Sequence, residues 1–296
     1  MVATATRPGA PAKPAPLAVP DSLPKWSAML AECLDKPGTM HAAYSSFHDY
    51  SMGNMVMALM QCASRGIAPG PLASYGRWIQ LKRQVRKGEK ALWLWQPVTI
   101  AERARGARAD SDDDAPADGS GKGKPTGRMI QVFILKPRWF VLSQTDGDAY
   151  APPPPAEWDA DMACTALGVK RESFAHLNGN SMGYASADGT VAVNPLAFDA
   201  TKTLIHELAH QTLGHLTREP GVTQDRALRE VEAEATAYLV GDTLGLTSGE
   251  YSRGYVQHWA QVGGYQTISE TAAKRIFGAA QRILAAGRPA KSAPTD

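Results

Sequence analysis

Apolar positions recur at helical spacing from Leu23 to Leu34, through Trp26, Met29, Leu30, Cys33 and Leu34, until Pro37-Gly38 ends the run. A second helix is predicted over Ser51 to Ser64, with Met52, Met55, Val56, Leu59, Met60 and Ala63 on its faces and Arg65-Gly66 closing it. Methionines at that spacing read as core packing. The pattern then shifts to strand. Ala91 to Ile100 and Met129 to Leu142 each carry aromatic and branched residues in a strand-like run. Between them, Ala101 to Gly127 is Gly-, Ala- and Asp-rich, and predicts a long flexible insertion. Pro152 to Pro155 mark a Pro-rich linker over 149–157. Beyond it the pattern predicts a helix at Ala156–Leu167 and a hairpin of Met182–Ala187 with Thr190–Asn194 about Asp188-Gly189. Four further helices follow: one around 201–210, then Asp225–Leu244, Tyr251–Gln261 and Ser269–Ala286. Residues 1–20 and 287–296 read as disordered tails.

These elements predict an α+β protein of two domains. Residues 21–148 form helices with a small antiparallel sheet, with the insertion at 101–127. Residues 158–286 are mainly helical with a short β-hairpin. The length of 296 residues suits two ordinary domains. A net charge of +2 excludes an acidic DNA mimic and requires any nucleic-acid footprint to be local. Cys33, Cys62 and Cys164 are scattered and form no metal or disulfide pattern, which predicts a reducing, cytoplasmic setting. No apolar run reaches membrane-spanning length and no secretory pattern opens the chain, so no membrane partner is expected.

The richest chemistry lies in Thr201 to His210, which contains H-E-x-x-H. On a helix, His206 and His210 stand on one face about 6 Å apart along the axis, so both reach one divalent ion, Zn²⁺ or alternatively Mn²⁺. Glu207 flanks them as the general base of a metallopeptidase of the zincin kind. The third ligand is expected from the next helix. Glu230 and Glu234 share a face there, and Glu232 points roughly the other way. Glu230 as ligand, with Glu234 orienting a histidine from behind, meets both needs; Glu234 as ligand is the alternative. His215 reads as a helix-terminus residue turned away from the pair. Tyr238, Tyr255 and His258 are the candidate oxyanion donors.

Single-stranded nucleic acid needs cations for its phosphates and flat rings for its bases. Residues 71–100 with 128–140 hold nine Lys or Arg against one acid, Glu89, interleaved with aromatics. The residues assigned to this surface are Tyr75, Arg77, Trp78, Lys82, Arg83, Arg86, Lys87, Lys90, Lys136 and Arg138. No finger or basic zipper is present, so binding is expected to tolerate any sequence. Trp93 and Trp95 alternate with Leu92 and Leu94, so one pair is expected to be core.

Two sets of blocks carry a family resemblance. The first is Tyr50 to Asn54, Arg77-Trp78-Ile79, Val85 to Lys90 and Val141 to Gly147. The second is Thr203 to His210, Glu230 to Glu234 with Leu244-Gly245, and Tyr255 to Trp259. In these the chain resembles the ArdC antirestriction family of conjugative plasmids. The resemblance implies a single-stranded-DNA-binding N-terminal domain joined to a zincin-like metallopeptidase domain, and protection of incoming DNA from host restriction. It matches glutamates at Glu230 and Glu234, with Glu232 where an apolar residue is usual. Three readings follow: an enzyme recruited to DNA that cleaves a host DNA-bound protein, a single-strand coat whose metal site is structural, and a cytosolic protease whose basic half only supports the fold.

Overall fold

The computed structural model describes residue 20 and residues 23–103, 125–152, 154–175, 181–216, 225–246 and 267–289, with a few positions between 254 and 264. Most of the tails and of the 101–127 insertion, and the helix expected at 251–261, therefore fall largely outside the described residues. At the edges of the insertion, 101–103 and 125–127 are strand, not loop.

The N-terminal half opens with three helices, α1 (Trp26–Asp35), α2 (Thr39–Phe47) and α3 (Met52–Arg65). The sequence reading has no counterpart to α2. The short α4 (Tyr75–Gln80) follows strand β1 (Leu72–Ser74) and precedes β2 (Arg83–Val85). Two long strands, β3 (Leu92–Arg103) and β4 (Pro125–Val141), then pair antiparallel, in line with the two strands and small antiparallel sheet expected there. Their sheet has the order β1-β4-β3, and β2 pairs separately with β5 (Thr145–Gly147). Two amides of α3 hold the backbone of β3. Asn54 bonds Trp95 N–H and C=O at 2.9 and 3.0 Å, and Gln61 bonds Trp93 in the same way at 3.0 and 2.8 Å. Leu92 and Leu94 enter the main core, Trp93 is buried too, and Trp95 stacks on Trp26 with ring centroids 4.4 Å apart.

The C-terminal half comprises α5 (Ala160–Ala166), β6 (Lys170–Ser173), β7 (Gly183–Ala185), β8 (Thr190–Val193), α6 (Ala200–Leu213), α7 (Arg226–Thr243) and α8 (Glu270–Ala286). Helix α5 starts later than expected, where Asp159 caps it by accepting from Met162 N–H at 2.6 Å. The 183–193 hairpin forms, and β6 joins it by parallel pairing with β8, in the order β6-β8-β7. Strand β6 shows no apolar alternation because all four of its residues are exposed.

One apolar core runs through both halves, from Met29, Met40 and Met55 to Leu208, Leu239 and Ile276. A small second cluster holds Ala73, Trp78 and Val85 beneath α4. No described helix is long and apolar enough to cross a membrane.

Candidate metal centre

Helix α6 begins at Asp199, whose carboxylate accepts from Lys202 N–H at 2.8 Å, and it ends at Gly214 in the left-handed region. Leu204, Ile205, Leu208 and Ala209 bury one face in the core, which leaves His206 and His210 together on another. Helix α7 packs alongside. Its Ala233 and Ala237 are fully buried, small and on the face of Glu230 and Glu234, which lets the two helices pack closely.

That approach brings Glu230 to the histidines. The two Nε2 atoms are 3.1 Å apart, and Glu230 Oε2 lies 3.6 Å from His206 Nε2 and 3.7 Å from His210 Nε2. Ligands about 2.0–2.1 Å from a tetrahedral ion stand roughly 3.3 Å from one another. The three donors present nearly that triangle, and two imidazoles with a carboxylate form a donor set suited to Zn²⁺ or Mn²⁺. Among the described residues they are the group arranged to hold an ion.

Each histidine is held from behind. His206 Nδ1 is 3.0 Å from Glu234 Oε2, and Lys202 Nζ is 2.7 Å from the other oxygen of that carboxylate. His210 Nδ1 is 3.0 Å from His215 Nδ1, His215 Nε2 is 2.9 Å from Glu232 Oε2, and Arg275 of α8 lies 3.3 Å from the same oxygen. His215 thus departs from the sequence expectation. It does stand at the helix end, but Gly214 reverses the chain and His215 N–H bonds His210 C=O at 3.0 Å, so its ring returns to the ligand and is buried. Glu232 does point away from the three donors, and in its buried place it has His215 Nε2 at hydrogen-bond distance and Arg275 as its counter-charge.

The charges follow the geometry. Burial lifts the pKa of Glu230, but both imidazoles pull it well below the ordinary carboxylate range. Burial would depress His206, yet Glu230 and Glu234 hold its proton and raise it to about 9. Glu234 is lowered despite burial, by His206 and then Lys202. Glu207 moves the other way: burial raises it, and the neighbouring histidines only partly offset this. A Cβ on Gly183 would meet Glu207 Oε1 and Thr203 Cγ2 at 2.9 Å each, so this glycine lets strand β7 pass directly over the glutamate. Gln211 Nε2 ties the same hairpin to α6 by donating to Ser186 C=O at 2.7 Å.

Of the oxyanion candidates, Tyr238 has its hydroxyl committed elsewhere: it donates to Cys33 C=O of α1 at 3.0 Å. Tyr255 and His258 lie outside the described residues. Three of the residues assigned to DNA are committed to the fold. Trp78 is fully buried and donates to Phe140 C=O at 2.8 Å, so no base can stack on it. Arg83 is spent on Thr145, Gly147 and Asp148, and Arg86 on Glu89, Asp146 and Ser143, which pins β5 and its flanks to β2. Arg77, Lys82, Lys87, Lys90 and Arg138 are exposed, and Lys136 is half-buried. Tyr75 is exposed, with its hydroxyl accepting from Gln84 at 2.8 Å.

Comparison with known proteins gives a match over residues 26–133 to the family described as the N-terminal domain of anti-restriction factor ArdC. No curated protein matches. Two solved structures resemble the chain, both crystal structures of the antirestriction ArdC protein from the R388 plasmid. The metal-free form is 22% identical, covering 88% of this chain and 94% of the other, with a TM-score of 0.47. The Mn(II)-bound form is 19% identical, covering 88% and 97%, also with a TM-score of 0.47.

Proposed function

We propose that the protein shields incoming plasmid DNA from host restriction in the cytoplasm, a reading supported by the match of residues 26–133 to the N-terminal domain of anti-restriction factor ArdC. In this reading it binds single strands without sequence preference and hydrolyses a peptide bond of a host protein on or near that DNA. The observation that carries the hydrolytic part is the triangle of His206, His210 and Glu230, with each imidazole backed through its outer nitrogen. A bound Zn²⁺ or Mn²⁺ there would supply Lewis-acid polarisation of a carbonyl.

The remaining steps belong to the chain's own groups. Glu234 and His215 fix the ring orientation of the two histidines. Glu207 takes a proton from water and returns it to the leaving amine, a task suited to a carboxylate whose burial has raised its proton affinity. Strand β7 ends the order β6-β8-β7, so its outer backbone edge is placed to align an extended peptide over Glu207. For the single strand, Arg77, Lys82, Lys87 and Lys90 supply exposed cations in the matched segment.

Glu207→Gln is the deciding variant. It removes the base and no proposed ligand. Metal content and single-strand binding are expected to stay at the parent level, while proteolysis and protection from restriction are lost. Full protection by this variant would overturn the hydrolytic reading and leave a single-strand coat with a structural ion.

A further inference from the structure

Helix α6 carries a lysine where a helix ordinarily disfavours one. Lys202 stands in its first turn, at the positive end of the helix dipole, and its side chain is only 12% exposed. Its Nζ lies 2.7 Å from Glu234 Oε1, on a side chain that is 4% exposed. Lys202 and His206 are four apart, so they share a face of α6 and meet the same carboxylate. His206 Nδ1 stands 3.0 Å from one oxygen of Glu234, and Lys202 pairs with the other. Glu230 lies one turn away on the same face of α7, and its place differs. Its Oε2 is 3.6 and 3.7 Å from the two Nε2 atoms, the nitrogens that would face an ion, and its side chain is less enclosed.

We propose that Lys202 is a positioning residue that decides which glutamate closes the site: by pairing with Glu234 it keeps that carboxylate behind His206 and leaves Glu230 as the third ligand. The two glutamates offer the same donor on one helix face, so spacing alone does not separate them. Charge does. A buried carboxylate with no cation beside it is drawn to a divalent ion. One already paired gains less by moving, and its departure would strand the buried lysine as well. A carboxylate kept at Nδ1 of His206 also engages the proton there, so Nε2 is the nitrogen left for the ion. The inference rests on the metal-binding reading above and concerns how its donors divide their roles.

The test is the metal affinity of the full chain, measured by chelator competition with Zn²⁺ and with Mn²⁺, with metal-free melts as the check on folding. In the parent, Glu230→Ala is expected to weaken binding more than about 100-fold, and Glu234→Ala about 10- to 100-fold, as for an orienting partner. In a Lys202→Gln background Glu234 is released to replace the missing ligand, and Glu230→Ala is expected to cost less than about 10-fold. Lys202→Arg keeps the charge and should keep the full cost of Glu230→Ala. Lys202→Met serves as the neutral background if Lys202→Gln does not fold. An equal cost of Glu230→Ala with and without the lysine charge overturns the proposal while metal binding stands. So does a loss in Glu234→Ala as large as that in Glu230→Ala, which needs no lysine variant. If the parent binds neither ion, the metal-binding reading falls and the proposal falls with it.

Discussion

At the scale of residues, the proposed metal centre rests on which atoms stand behind its candidate ligands. His206 leans on a carboxylate, whereas His210 leans on His215, which itself leans on Glu232 and Arg275. An imidazole interposed in this way passes the orientation on without placing an anion directly against the ligand. His215→Ala leaves Glu232 paired with Arg275, so no buried charge is stranded. It is expected to weaken metal binding about 10- to 100-fold with the fold intact, and Glu230→Ala to weaken it further. Competition with a chromophoric chelator measures both. Parent affinity in the His215 variant would show that the ring merely fills space. The clustering of His206, Glu207 and His210 is legible in the sequence because a helix fixes their relation locally, and one turn of α7 puts Glu230 and Glu234 on a common face. His215 is not legible, because its position depends on a chain reversal at Gly214 rather than on continued helical spacing.

At the scale of elements, α1, α2 and α3 share a feature: none has a side-chain cap from its own N-cap residue. Their first amides are met from the distant helices instead. Glu270 accepts from Trp26 and Ser27 N–H at 2.9 Å, Asp242 from Gly38 and Met40 N–H at 2.8 Å, and Gln281 from Met52 N–H at 2.7 Å. This is the physical reason α2 is missing from the sequence reading: the groups that start it lie on α7, some two hundred residues away. For Glu270, burial raises the pKa, but the Ser27 and Trp26 amides outweigh it and leave the group below the ordinary value. A depressed folded pKa means that the stabilisation is present above the unfolded value near 4.5 and is lost as pH falls through the folded value. Glu270→Gln is expected to cost about 0.5–2 kcal/mol at pH 7 and progressively less below pH 4. Thermal melts of parent and variant at both pH values check this, and a gap that does not narrow in acid would refute it.

At the scale of the whole molecule, the helices on either side of the Pro-rich segment are joined by one apolar core, by the three caps that α7 and α8 lend to α1–α3 and by the Tyr238 bond to Cys33 C=O. Helix α8 is the common member. Its Glu270 and Gln281 meet the first amides of α1 and α3, and its Arg275 pairs with Glu232 behind His215. A fragment beginning at residue 158 would expose the faces of α7 and α8 that now cover α1–α3. It is expected to bind a hydrophobic dye and to melt without a cooperative transition. A sharp, dye-free melt of that fragment would show that the halves hold themselves together separately.

Local order is what the chain could announce unaided: the long helices, the strands β3 and β4, the β7–β8 hairpin, and a histidine pair with its glutamate, all set by spacings of a few residues. Packing decided the rest. It put Trp78 inside, bound Arg83 and Arg86 to the backbone around β5 and folded His215 onto His210. Periodicity says which face of an element is apolar. Only the assembled molecule says which partner covers that face, and therefore which rings and charges are left for a ligand.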